Sequence, residues 1–231
     1  MANEVRWMGH ATFELETSKG KKIIVDPWYD GNPSNEKKAE EVEKADVVLI
    51  THDHFDHLGE AADILKQTGA TMVGQPEIME KLKGEGVSEE QVVYGTGMNV
   101  GGTVEVEDVK ITMTQAVHSS TAGDPSGYIV TLEDGKTIYY AGDTGLFNTM
   151  KDFGELYDID LAILPTGSVF TMDSQQAAHA LKLLGPKYAV PMHFGTFPIL
   201  EQDGNKFKEL AQKNAPGVEV LVLEPGSSCK L

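Results

Sequence analysis

Thr51-His52-Asp53-His54-Phe55-Asp56-His57-Leu58-Gly59 packs three histidines and two aspartates into six positions, directly after the apolar run Val47-Val48-Leu49-Ile50. A run of that kind reads as a buried strand, and Leu58-Gly59-Glu60 onward reads as the start of a helix. The cluster therefore falls on a tight strand-to-helix loop, where neighbouring side chains converge on one point. Imidazole nitrogens with carboxylate oxygens are the donors that Zn²⁺ and other first-row metals prefer. His52 and His54, two apart, can grip one ion from the same side of the loop. Asp56 and His57 are adjacent, point elsewhere, and suit a second ion a few ångström away. A solvated turn explains the cluster poorly, because the whole chain of 231 residues has only seven histidines.

Outward from this loop the chain reads as strands and helices. Val5–Met8, Thr12–Glu16 and Lys22–Asp26 read as strands, the third ending at Asp26 before Pro27. Glu36 to Lys44 is a short charged helix or loop. Beyond the cluster, Gly59 to Gln67 reads as helix, Ala70 to Val73 as strand, and Pro76 to Lys83 as a helix with proline in its first turn. Gln91–Tyr94, Gly102–Glu107 and Val109–Gln115 read as antiparallel strands. Asp134-Gly135 marks a hairpin between Gly127–Glu133 and Lys136–Ala141. Asp160–Leu164 and Tyr188–Met192 are further strands, Ser174–Leu184 and Asn205–Lys213 helices, and Val218–Leu223 a closing strand. His52, His118, Asp143 and His193 each follow a strand end closely, in four separate parts of the chain. Loops at one sheet edge are where a rigid scaffold presents function.

These motifs resemble the metallo-β-lactamase superfamily of metal-dependent hydrolases. Carrying the resemblance are Thr51-His52-x-His54-x-Asp56-His57, then His118, Gly142-Asp143-Thr144 and His193. Gly9-His10-Ala11-Thr12-Phe13, Val25-Asp26-Pro27 and Pro191-Met192-His193-Phe194-Gly195-Thr196 are similar to a narrower branch of stand-alone hydrolases related to ascorbate-phosphate lactonases. The resemblance spans nearly the whole chain and implies an α/β (α+β) fold, the four-layer αββα sandwich, with two divalent metal ions at one edge. It places His52, His54 and His118 on the first ion and Asp56, His57 and His193 on the second, with Asp143 between them. Asp26 would hydrogen-bond ligands or their loops. Two ions roughly 3.5–4 Å apart lower the pKa of a shared water toward about 7, so a small ester, lactone or phosphodiester is the expected substrate. Asp56 would orient the attacking water or move its proton. Zinc leads among the metals, ahead of Mn²⁺ or Fe²⁺. Histidine at position 54, where flavodiiron relatives carry glutamate, argues against redox chemistry. A metal-binding sensor and an iron redox protein of the same fold are the alternatives.

Composition sets the remaining bounds. Hydrophobic content of 40% and charged content of 24% describe an ordinary globular chain, and no composition break divides residues 1–231, so one domain is expected. No apolar run approaches the roughly 20 residues of a membrane helix, and Met1-Ala2-Asn3-Glu4 opens without a signal-peptide pattern. A net charge of −17 disfavours nucleic acid, whose phosphates demand Lys and Arg. Cys229, the only cysteine, stands in a terminal Gly-Ser-Ser-Cys-Lys tail; a reducing cytoplasm is the expected compartment. A homo-oligomer stays open. His10 is either a turn histidine or a group that reaches the site. His179, inside a helical stretch, is expected to be idle, and Asp173 with Gln176 reads as a capping box. Ser119, Ser120 and Thr121 form a hydroxyl-rich loop, and Trp28, Tyr29 and Phe194 are candidate pocket walls.

Overall fold

A computed structural model describes residues 2–231; Met1, where the reading of the N-terminus begins, lies outside them. Thirteen strands and six helices follow one another as β1 (Glu4–Trp7), β2 (Phe13–Glu16), β3 (Lys22–Val25), β4 (Val47–Leu49), α1 (Phe55–Leu58), α2 (Ala61–Thr68), β5 (Thr71–Val73), α3 (Pro76–Gly84), β6 (Thr103–Val106), β7 (Val109–Gln115), β8 (Ser126–Thr131), β9 (Thr137–Tyr140), α4 (Met150–Leu156), β10 (Leu161–Pro165), α5 (Ser174–Leu184), β11 (Tyr188–Met192), α6 (Asn205–Asn214), β12 (Glu219–Val220) and β13 (Ser228–Lys230). The strands form two sheets, in the orders β13-β1-β2-β3-β4-β5 and β12-β11-β10-β9-β8-β7-β6. Among the described residues, no helix is long and apolar enough to cross a membrane.

Side-chain alternation sets the layers. Trp7, Phe13, Val25 and Leu49 from the first sheet meet Ile111, Tyr128, Tyr140 and Ile163 from the second in one buried core. The opposite faces carry a second apolar set. Ile24, Val48 and Met72 pack under Ile64, Ile78 and Leu82 of α2 and α3. Ile129, Tyr139 and Ala162 pack under Ala177, Leu181 and Phe207 of α5 and α6. Strands such as β4 and β10, buried on both faces, are apolar throughout, as parallel sheets covered by helices require. This is the αββα sandwich.

Strand direction positions the site. β3 and β4 pair in parallel, as do β9, β10 and β11. β1 is two antiparallel steps from β3, and β7 two from β9, so they run the same way within their sheets. The carboxyl ends of β1, β3, β4, β7, β9, β10 and β11 therefore lead into His10, Asp26, His52, His118, Asp143, Gly167 and His193. In parallel α/β sheets this is the edge where ligands bind.

Several local expectations were overturned. Gln91–Tyr94 is not a strand; it is two 3₁₀ turns, Glu89–Gln91 and Val93–Gly95, joined to β5 by one bridge between Met72 and Val92. The charged segment 36–44, expected as a short helix or a loop, is the loop, with one 3₁₀ turn at Ala39–Glu41. The closing strand shortens to Glu219–Val220, since its last ladder bond is Leu221 N–H to Ala189 O and the next pairing position on β11, Pro191, has no N–H to give. Helix α4 escaped notice because Gly154 weakens its pattern; a Cβ there would come within 2.3 Å of the Leu183 carbonyl oxygen on α5, so glycine permits the close approach. Cys229 is no loose tail, because it pairs with Val5 in the edge strand β13.

Candidate metal centre

His52 to His57 occupy the loop after β4 and the single turn of α1, which begins at Phe55 with His54 as its cap residue. Such a sharp reversal turns successive side chains in different directions, so alternate residues serve different purposes. His52, Asp53 and His57 are buried, while Phe55 is 68% exposed. His118, Asp143 and His52 stand three positions past the ends of β7, β9 and β4, and His193 directly follows β11.

The chain brings every proposed ligand to one place. Ligand atoms of His52, His54 and His118 all lie within 4.8 Å of one another, as do those of His52, His57 and Asp143, and those of His10, Asp56, His57 and His193. Asp143 Oδ2 is the shared point: it stands 3.0 Å from His193 Nε2, 3.3 Å from His57 Nε2 and 3.6 Å from His118 Nε2. Two imidazole nitrogens, His52 Nε2 and His54 Nδ1, face each other at 2.9 Å. Lone pairs that close repel unless a proton or a cation lies between them. Among the described residues, buried His57 Nε2 and Asp143 Oδ1 have no hydrogen-bond partner. Buried polar atoms are rarely left so, and a cation in their midst would satisfy them. The donor set thus fits a metal.

Asp26 organises both halves. Its carboxylate accepts from the Thr51 N–H at 2.9 Å, the Thr51 hydroxyl at 2.7 Å, His57 Nδ1 at 2.8 Å and the Tyr140 hydroxyl at 3.1 Å. With its own proton given to Asp26, Thr51 Oγ1 accepts from His52 Nδ1 at 3.0 Å. One carboxylate therefore sets the tautomer of two imidazoles and turns the Nε2 lone pair of each into the site. Asp26, His10 and His193 all hold positive φ (48°, 53° and 60°). Left-handed backbone at non-glycine residues costs of order 1–3 kcal/mol each and persists where the surroundings over-determine it. Here His10 O accepts from the His193 N–H at 3.0 Å, locking two of the three together.

Electrostatics separate the imidazoles. Burial pushes His52 down to about 2, helped by neighbouring His57 and opposed by Asp143. Burial also lowers His118 against the pull of Asp143. Both are neutral at pH 7, as ligation demands. Burial opposes charge on His57 too, but Asp143 and Asp26 outweigh it and raise it well above the ordinary histidine range. An entering cation displaces that proton. Burial opposes ionisation of Asp143 and Asp56. The facing histidines, His193 and His57 for Asp143 and chiefly His10 for Asp56, outweigh it and keep both carboxyls below their usual range.

Other sequence expectations sort as follows. His10 is no surface turn residue: it is fully buried, with Nε2 at 3.0 Å from Asp56 Oδ2 and Nδ1 at 2.9 Å from Thr196 Oγ1. His179 is exposed on α5, and the Asp173–Gln176 capping box is present. Tyr29 and Phe194 do not line the pocket. Tyr29 is buried with its hydroxyl on Glu14, and Phe194 packs against Trp7. Trp28 stands behind the wall, in edge contact with Phe55 and stacked on Phe197. The walls are Phe55, Phe170 and Phe197, around a cavity of about 500 Å³ that also touches His54, Asp56, His118, Ser119, Asp143 and His193. Two roles went unread. Asp53 accepts from Thr121 N, Ser120 Oγ, Thr121 Oγ1 and Lys81 Nζ, and so pins the loop after His118. Burial works against ionisation of Asp53, but these bonds keep its carboxyl below the usual range. Gly167 lies so close to His193 that a Cβ would stand 2.0 Å from its carbonyl oxygen.

A profile of the β-lactamase superfamily domain matches residues 21–194. The chain belongs to the metallo-β-lactamase superfamily. It is 47% identical over 231 residues to a UPF0173 metal-dependent hydrolase of Nitratidesulfovibrio vulgaris, covering 100% of this chain and 96% of that one. A UPF0173 metal-dependent hydrolase of Methanopyrus kandleri is 46% identical over 233 residues, covering 97% of this chain and 98% of the other. Igni18, a metallo hydrolase from Ignicoccus hospitalis, superposes with a TM-score of 0.90 at 39% identity, covering 100% of this chain and 99% of its own. With these relatives, this member of the superfamily is a metal-dependent hydrolase.

Proposed function

We propose that the protein uses two divalent ions, zinc before manganese or iron, to hydrolyse an ester, lactone or phosphodiester of a small molecule. His52, His54 and His118 would hold one ion, Asp56, His57 and His193 the other, with Asp143 between them. The observation that carries this reading is the position of Asp143 Oδ2, within 3.0–3.6 Å of imidazole nitrogens from both sets. When bound, such a pair of ions supplies a water acidic enough to react at neutral pH and a Lewis acid for the oxygen that gains charge.

The chain's own groups do the rest. Asp26 orients His52 and His57. His10, held by Thr196, orients Asp56, which borders the cavity and is placed to take the proton of the attacking water. The partner is a small molecule, with no nucleic acid and no membrane. A lone Cys229 fits the cytoplasm as the proposed setting.

The test is turnover. Protein stripped with a chelator should hydrolyse nothing in a panel of esters, lactones and phosphodiesters, and Zn²⁺ should restore hydrolysis to the wild type but not to His118→Ala. Protein carrying two ions per chain that turns over no member of the panel would overturn this reading in favour of a metal-binding sensor.

A further inference from the structure

We propose that the substrate is uncharged away from its scissile bond and places an aromatic or similarly flat apolar group among Phe55, Phe170 and Phe197. This deepens the hydrolase reading and rests on it. The cavity of about 500 Å³ is lined by those three rings, by His54, Asp56, His118, Asp143 and His193, and by Ser119; among the described residues, no lysine or arginine lines it. Lys81 is the cation bonded to the ligand loop, but it sits 3.0 Å from Asp53 and borders a separate groove beyond Phe55. A phosphate or carboxylate remote from the reacting centre would therefore meet no counter-charge, inside a chain of net charge −17. Leaving it unpaired in an apolar cleft is costly.

The rings are presented rather than tucked away. Phe55 is 68% and Phe170 54% exposed, and Val117, Val169 and Ile199, close in sequence to His118, Phe170 and Phe197, are exposed as well. Phe55 and Phe197 are braced from behind by buried Trp28, at ring separations of 5.6 and 6.0 Å. Phe170 follows Ser168 and Val169, both at positive φ (63° and 54°). A β-branched residue there is a genuine outlier. That loop is tied to the ligand loops through Met172 N–H to Thr144 O at 2.9 Å and Thr166 N–H to Met192 O at 2.9 Å. Exposed apolar area rimmed by polar ligands marks a binding groove, and flat rings meet a flat partner edge-on or offset.

The experiment compares phenyl acetate, 4-carboxyphenyl acetate and methyl acetate on the zinc-loaded enzyme, each kcat/KM divided by its hydroxide rate constant. Phenyl acetate should exceed the carboxylate by about tenfold or more. Phe55→Ala and Phe170→Ala should each lose about tenfold on phenyl acetate, as expected for one lost ring contact, and little on methyl acetate. Equal rates for the anionic ester, or equal losses on methyl acetate, overturn the proposal. So does a changed elution volume in Phe170→Ala, which would make this exposed apolar area a face between copies of the chain. Saturation-transfer NMR with benzamide reads the pocket without turnover. Signal lost in Phe170→Ala supports the aromatic subsite even if no ester is hydrolysed, whereas signal unchanged in both variants refutes it.

Discussion

Asp26→Asn is the substitution that separates orientation of ligands from their presence. The buried carboxylate receives four hydrogen bonds, and the amide can reproduce only some of them. Its oxygen can still accept from the Thr51 N–H, which faces Asp26 Oδ1. Its nitrogen then replaces Oδ2, opposite Thr51 Oγ1, Tyr140 OH and His57 Nδ1. Both hydroxyls can rotate to accept. His57 can accept at Nδ1 only as the other tautomer, which puts a proton on Nε2, the atom facing Asp143 at 3.3 Å. A protonated nitrogen is no ligand. Partners of this kind are typically worth 10–100-fold in metal affinity, and the variant should lose that much for the ion held by His57. Losing charge on the shared acceptor should also cost the metal-free fold about 2–4 kcal/mol, since bonds to a charged group are worth roughly 1.5–3 kcal/mol each. Zinc titration against a chromophoric chelator measures the first effect, and urea unfolding of metal-free protein the second. A variant that binds two ions within about twofold of wild-type affinity would refute the claim that Asp26 sets the His57 tautomer.

Three further outcomes follow from the same contacts. Asp53→Ala frees Ser120 and Thr121, so zinc affinity at His118 and kcat should each fall about tenfold, as read by metal titration and turnover. Gly167→Ala drives a Cβ into the His193 carbonyl, and because backbone cannot yield cheaply, folding stability should drop by about 3 kcal/mol in thermal unfolding. Asp160 accepts from Thr137 N, Lys136 and Lys187; burial opposes its ionisation, but these partners lower its pKa. Its contribution is therefore present above the unfolded value of about 3.9 and lost as pH falls through the lower folded value. Wild type should exceed Asp160→Asn by about 1 kcal/mol near pH 7, a figure reduced for the exposed lysines, and the difference should shrink below about pH 4.

The residues that gather at the site and the sandwich were legible because both rest on local signals. The His-Asp cluster is dense, and the buried strands β4, β10 and β11 are short apolar runs bounded by turn residues. The pocket walls were not legible. Phe55 reads as one more residue inside a polar motif, and only the turn of α1 directs it outward beside Phe170 and Phe197 from distant loops. Trp28, Tyr29 and Phe194 looked better placed by chain position, but the core claims or backs them. Asp53 was overlooked for the converse reason: among so many ligands an aspartate reads as another, whereas its partners lie on the loop after His118, 67 and 68 positions away. Gln91–Tyr94 failed as a strand because a strand needs a partner, and beyond β5 only one bridge is available.

Elemental analysis of the purified protein, run beside His54→Ala, tests the dinuclear centre most directly. Close to two metal ions per chain in the wild type, falling sharply in the variant, is the expected result. One ion or fewer, unchanged by the substitution, would contradict the ligand assignment and leave only the fold.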